Sequence, residues 1–127
     1  MAHSSSEYLT VPGLLASATL AAKQYYCVKL ASTAGEVIVG AAATDVCFGI
    51  VQNDPGAAEE ALIAIHGAVK ASAEASVSYG DELACSTTGR VKTTTTENDD
   101  VIGIALEASS AAGDIIGILL THYSKGG

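Results

Sequence analysis

The chain has 127 residues with no tryptophan, one phenylalanine and one methionine, and 23 alanines sit inside its 49% apolar content, so its core is light and rests on Val, Leu and Ile. Fourteen acidic residues against six basic ones give a net charge of -8, which repels phosphate backbones and anionic lipid and argues against nucleic-acid and membrane partners. The apolar stretches fall far short of the roughly 20 residues that a membrane-crossing helix needs, and the start Met1-Ala2-His3-Ser4-Ser5-Ser6 lacks the basic and apolar regions of a signal peptide, so a cytoplasmic origin is expected.

The length suits one domain. Burial stabilises by about 25 cal/mol per Å² whichever chain supplies the covering atoms. A thin core therefore favours subunits that cover part of each other, and a homo-oligomer is expected.

Residues 1–22 are rich in Ser, Ala and Leu around Pro12-Gly13 and show no clean alternation. They read as an extended N-terminal arm ahead of a single domain over 23–127. The best helical candidate is 14–23, where Leu14, Leu15 and Leu20 share a side. Beyond it, period-two runs rich in β-branched residues, closed by Gly, Asp, Asn or Ser, predict strands at 25–31, 36–40, 47–52, 61–66, 68–72, 82–85, 90–94, 101–107 and 114–123. The fold class is all-β. In the first of these strands Tyr25 and Tyr26 point to opposite faces, which makes them candidates for a subunit interface.

The block at 49–66 returns without a gap at 103–120. Each copy starts on Gly-Ile, carries Ala-Ala at the same place, then an acid (Glu60, Asp114) and an apolar run. This is a strand, turn, strand unit used twice, with identity too low for a repeat array. Asn53-Asp54-Pro55-Gly56 suits a turn in which glycine takes a positive φ. Gly80-Asp81 and Gly113-Asp114 each precede an apolar run, pairing a left-handed glycine with an acid that can accept from nearby backbone N–H groups. Segment 93–100 reads as a strand end and an exposed polar loop. In 114–123, Ile116, Ile118 and Leu120 face one way and Ile115, Gly117 and Leu119 the other. A strand apolar on both sides belongs inside a packed barrel or at an interface between subunits, and Ile116, Ile118 and Leu120 are the expected interface residues.

The chemistry-bearing residues form no motif. Cys27, Cys47 and Cys85 are widely spaced without a CxxC pair and read as buried free thiols. His3, His66 and His122 lie outside any nucleophile pattern, and a hydrolase using His66 with Ser78 or Cys85 would need a pocket joining them. Glu97, Asp99 and Asp100 lack the spacing of a calcium loop, and the scattered glycines form no phosphate cradle. No cofactor, no metal and no catalysis are expected.

The segments Tyr26-Cys27-Val28-Lys29-Leu30, Ala41-Ala42-Ala43-Thr44-Asp45-Val46-Cys47-Phe48-Gly49-Ile50-Val51, Tyr79-Gly80-Asp81-Glu82-Leu83, Gly89-Arg90-Val91, Ile102-Gly103-Ile104-Ala105-Leu106-Glu107-Ala108 and Ala111-Ala112-Gly113-Asp114-Ile115-Ile116 follow one another in this order. Taken together over 25–120, they resemble the small capsid decoration (cement) proteins of tailed bacteriophages. The resemblance implies a small β-barrel or β-tulip-like domain on the outer surface of the assembled phage head, part of the virion. It further implies a non-enzymatic homotrimer at three-fold and quasi-three-fold positions that stabilises contacts between subunits of the major capsid protein. The arm has no counterpart in the resemblance; Tyr8, Leu9, Val11, Leu14 and Leu15 are its expected capsid anchors. The alternative is a glycan- or host-surface-binding head-fibre barrel, which exposed aromatics grouped at one end would favour.

Overall fold

The structure, a computed structural model, describes residues 7–17, 20 and 22–125. Among them run β1 (Glu7–Val11), β2 (Leu15–Ala16), β3 (Cys27–Leu30), β4 (Glu36–Val39), β5 (Gly49–Val51), β6 (Ile63–Ser72), β7 (Glu82–Cys85), β8 (Val91–Thr93), β9 (Asp100–Ala105) and β10 (Ile115–Ser124), with no helix. The expected all-β class holds. The strands expected at 61–66 and 68–72 are one strand, β6: Gly67 takes φ 110°, so the chain kinks there and continues instead of stopping. Opposite the kink, β1 slips register between Leu9 and Thr10.

One sheet carries the order β2-β4-β3-β5-β6-β10-β9-β7-β8, with β1 added on β6. It curls, and an isolated bridge between Ala73 and Val91, with Glu74 N–H donating to the Val91 carbonyl at 2.8 Å, draws β8 towards the end of β6. No continuous ladder joins β2 to β8, so the domain is an open, β-tulip-like sheet and not a closed barrel.

Ala64 pairs with both Ile50 and Thr10, and Ala68 with both Leu119 and Glu7. Strand β1 therefore takes the edge of β6 that β5 and β10 leave open. The described part of the expected arm is thus woven into the sheet: β1 lies on β6, β2 runs parallel to β4, and Leu20 is fully buried. Leu15 and Ala16, placed in the helical candidate, are strand instead, because Leu15 N–H donates to the Gly35 carbonyl and Ala16 N–H to that of Glu59.

The doubled block forms two antiparallel pairs, β5 with β6 and β9 with β10. Their registers differ by one residue, Ile50 facing Ala64 where Ile104 faces Leu119. Gly49 and Gly103 serve the same purpose in both. A β-carbon would stand 2.4 Å from the Ala64 carbonyl oxygen at Gly49, and 2.6 Å from that of Leu119 at Gly103.

Gly80 and Gly113 take φ of 87° and 89°, as expected. Asp81 Oδ2 accepts from Ser78 N–H at 2.9 Å, and Asp114 Oδ2 from the N–H groups of Ser110 and Ala111 at 3.0 and 3.2 Å. Gly56 is not left-handed; Ala58 takes the positive φ of 67° there, while Gly56 N–H donates to Glu59 Oε1. Asn53 closes this loop from both sides, its amide nitrogen donating to the Glu60 carbonyl and its oxygen accepting from Leu62 N–H.

Two apolar clusters result. The larger gathers Ile50, Val69, Leu83, Val91, Ile102, Ile116, Ile118 and Leu120 with the three cysteines, and Tyr8 packs against it. The smaller holds Ala16, Leu20, Val28, Val37, Val51, Ala61 and Ile63 beneath Val11, Leu14, Val39 and Phe48.

At the end of β10, Lys125 Nζ donates to Glu82 Oε1 at 2.6 Å and the Tyr123 hydroxyl to Oε2, tying β10 to the start of β7. Lys125 first, and Tyr123 second, hold the Glu82 carboxyl below its ordinary range. Burial first, and the hydrogen bond to Glu82 second, push the Tyr123 hydroxyl up to about 12. The Glu82 contribution is present above the ordinary carboxylate range and fades as pH falls through its lowered value; that of Tyr123 is present below the ordinary phenol range and fades as pH rises through about 12. In a near-ultraviolet absorbance titration, one tyrosine is expected to ionise later than free tyrosine, and Glu82→Gln to return it part of the way. An unchanged titration in the variant would refute the link.

Candidate interaction surface

Strand β3 ends at Lys29 and Leu30, and the segment leading into β5 passes over it carrying Val46 and Phe48. Hydrogen bonds set this path: Phe48 N–H donates to the Val28 carbonyl, and Cys47 N–H to that of Asp45. Asp45 Oδ2 accepts from Ala41 N–H and from Lys29 Nζ, both at 2.8 Å. The Lys29 side chain, then Ala41 N–H, hold the Asp45 carboxyl low, and Asp45 in turn raises Lys29, so the clasp persists from above the ordinary carboxylate range to the ordinary lysine range. Partly exposed pairs of this kind contribute about 1 kcal/mol or less to stability; here the pair fixes the segment's position.

Between that segment and the N-terminal strand lies an apolar groove of about 460 Å³, lined by Val11, Leu14, Lys29, Leu30, Val46 and Phe48. Leu30 and Val46 are 65% and 66% exposed. Phe48, the chain's one phenylalanine, forms the floor by packing on the smaller core cluster. A second recess of about 240 Å³ lies between Thr10, Val11, Pro12, Asn53, Glu60, Ala61 and Leu62. Glu60 Oε2 accepts from Gly13 N–H at 3.0 Å and pins the Pro12-Gly13 bend beside it. Val11 lines both hollows.

The expected anchors thus separate by environment. Val11 and Leu14 line the groove, Leu9 and Leu15 are exposed, and Tyr8 packs on the chain's own larger core. The expected interface residues separate as well. Ile116, Ile118 and Leu120 are buried in the chain's own core, and the side chains that β10 offers to a neighbour are Ile115 and Leu119 instead. Alternation correctly divided the strand into two faces, but with both faces apolar nothing in the sequence said which one the domain itself covers. Tyr25 and Tyr26 are half-buried, Tyr25 with a positive φ of 72°. Lys23 Nζ and the Arg90 guanidinium lie over the Tyr26 ring, 5.1 and 5.4 Å from its centre. Sequence reading missed the groove because Leu30, Val46 and Phe48 follow no shared period; the apolar pair Val46 and Phe48 flanking a cysteine was the one local signal.

His66 is exposed on β6 while Cys85 is buried at the end of β7, which separates the elements of the supposed hydrolase site. The three thiols are free and buried, as expected, but they are not scattered: Cys27, Cys47 and Cys85 meet beside Gly40. Cys47 and Cys85, together with burial, raise the Cys27 thiol. For Cys47, the contact with Cys27 lowers the thiol, yet Cys85 and burial outweigh it and push it up. Cys27 and Cys47 as donors hold Cys85 low in spite of burial. Among the described residues no group of three or more His, Cys, Asp or Glu is arranged to hold a metal ion.

The structure is an open all-β sheet with an apolar groove on its surface. The phage cement protein family model matches residues 15–120, and the chain belongs to that family, whose members are structural proteins of the phage head. The match takes in residues 15–22, which the sequence places in the arm. The fold is similar to that of the N base of the head fibre gp8.5 of bacteriophage phi29, with a TM-score of 0.68 and 15% identity over 91% of this chain and 95% of that one. No curated protein matches the chain.

Proposed function

We propose that the protein binds the outer surface of the assembled phage head as a non-enzymatic homotrimer at three-fold and quasi-three-fold positions, where it stabilises contacts between major capsid subunits. The observation that carries this reading is the groove of Val11, Leu14, Leu30, Val46 and Phe48, an apolar hollow on a strongly acidic chain. Such a hollow suits an apolar side chain or extended segment of a capsid subunit, and Leu9 and Leu15 extend the contact along the N-terminal strands. Ile115 and Leu119 of β10 are the surface for the trimer contact. Weak contacts repeated over three copies add as avidity, so no single tight site is required.

The alternative, a glycan-binding fibre barrel, calls for aromatics free to stack on sugar. Tyr79 is available at 77% exposed, but Tyr123 is tied to Glu82, Tyr26 already has Lys23 and Arg90 over its ring, and Tyr8 is packed on the core. This distribution favours the capsid reading. Purified protein mixed with undecorated heads and imaged is expected to add density at the three-fold positions on the outside. Density absent from the head, with retention on a glycan column, would support the alternative and end the first.

A further inference from the structure

Gly40 follows β4 and is the point where three distant segments meet. A β-carbon there would stand 2.5 Å from Cys47 Sγ and 2.6 Å from Cys85 Sγ, and 3.7 Å from Cys27 Cβ. The absence of a side chain at Gly40 is what lets the sulfurs of Cys47 and Cys85 converge on one small space. The two sulfurs are consequently no more than about 5 Å apart, close enough for rotation about the χ1 bonds to bring them towards bonding distance. Cys27 differs from both. It lies within β3, pairs with Ile50 of β5, donates its N–H to the Gly89 carbonyl and accepts at its own carbonyl from Gly40 N–H. That backbone is held on both sides, and of Cys27 it is the β-carbon, not the sulfur, that lies nearest the space at Gly40; Cys47 sits in a segment outside any strand, and Cys85, the last residue of β7, pairs with Val91.

We propose that Cys47 and Cys85 are a latent disulfide pair, closed by hydrogen peroxide, while Cys27 stays a free thiol. In the first step the Cys85 sulfur takes one peroxide oxygen to become a sulfenic acid and one water leaves; in the second the Cys47 thiol attacks that sulfur, the S–S bond forms and a second water carries off the oxygen. Two thiols are oxidised by two electrons and one peroxide is reduced to two waters. Cys85 is taken as the first sulfur because the other two thiols hold it low and Cys47 Sγ shares the space at Gly40 from which to resolve it. The bond has a structural consequence. Cys47 stands between Val46 and Phe48, so closing it onto β7 locks one wall of the apolar groove.

The test treats the purified full-length chain with hydrogen peroxide under native conditions and reads the intact mass, the thiols titrated after denaturation, and a non-reducing peptide map. The expected result is a monomer lighter by ~2 Da, titratable thiols falling from three to one, and a Cys47–Cys85 linked peptide. Cys47→Ala and Cys85→Ala each abolish the mass loss, and Cys27→Ala retains it. The map of the unsubstituted chain decides the matter even if a variant fails to fold. A linked peptide that contains Cys27, a disulfide dimer, stepwise gain of oxygen without a link, or three thiols unchanged while the denatured chain oxidises would each overturn the proposal.

Discussion

Replacing Gly49 or Gly103 by alanine is expected to cost about 3 kcal/mol of stability, at the upper end of what an added methyl does in a packed interior. The new β-carbon would stand 2.4 Å from the Ala64 carbonyl oxygen in the first case and 2.6 Å from that of Leu119 in the second. A flexible side chain could swing aside from such a contact. A carbonyl in the partner strand is fixed by its own ladder, so β5 would have to part from β6, or β9 from β10. Gly49 carries the further collision with Ile63 Cγ2 at 2.6 Å, whereas the next contact of Gly103 is with Ile118 Cδ1 at 3.2 Å, so Gly49→Ala is expected to be the worse of the two. Gly56→Ala is the control: its φ is ordinary and the nearest atom, Glu59 Oε1 at 3.3 Å, belongs to a side chain that can move. Urea unfolding followed by circular dichroism should rank Gly49→Ala below Gly103→Ala, and both below Gly56→Ala, which stays near the parent. Parent-like midpoints for the first two would show that close strand approach is not why the doubled block begins on glycine.

Leu30→Asp and Val46→Asp are each expected to remove about 2 kcal/mol or more from head binding, roughly a 30-fold loss per copy, which is the scale of an anchor in a desolvated pocket. Both side chains are about two-thirds exposed, so the substitutions should leave folding within about 0.5 kcal/mol of the parent. The charge is what matters: a carboxylate on the groove wall must lose its water when an apolar partner enters. Because contacts repeat over three copies and over the shell, the loss compounds, and occupancy on heads should fall to the background. Tyr79→Asp, an equally acidic change at an exposed site outside the groove lining, should bind as the parent does. Full occupancy by Leu30→Asp and Val46→Asp together would exclude the groove as the contact, whatever else the imaging of decorated heads showed.

Much of the fold was legible because strands leave a period of two and turns leave their residues. Strand β7 falls on the expected 82–85, and the acids after Gly80 and Gly113 accept the nearby backbone N–H groups as expected. What was not legible has a common cause. Residues 7–11, with Thr10 and Val11 beside Pro12, show little alternation, yet they form β1 because β6 has a vacant edge and main-chain pairing asks little of side chains. Ile116, Ile118 and Leu120 are buried in the chain's own core, while the opposite face of β10 is as apolar as theirs. Nothing local distinguishes a face that the domain covers from one that it leaves exposed.

The sequence by itself determined the excess of acid over base by composition, and most of the strands, the Gly80 and Gly113 turns and the two glycines that open the doubled block because each of these is settled by residues within a few positions of one another. Only the tertiary structure decided that the sheet stays open, that the N-terminal strand lies on β6, that Val11, Leu14, Leu30, Val46 and Phe48 share a groove, and that three cysteines spread over 59 residues of chain meet at Gly40. Those facts depend on which elements pack together, and packing is set by the whole set of buried faces at once, which no single stretch of residues records.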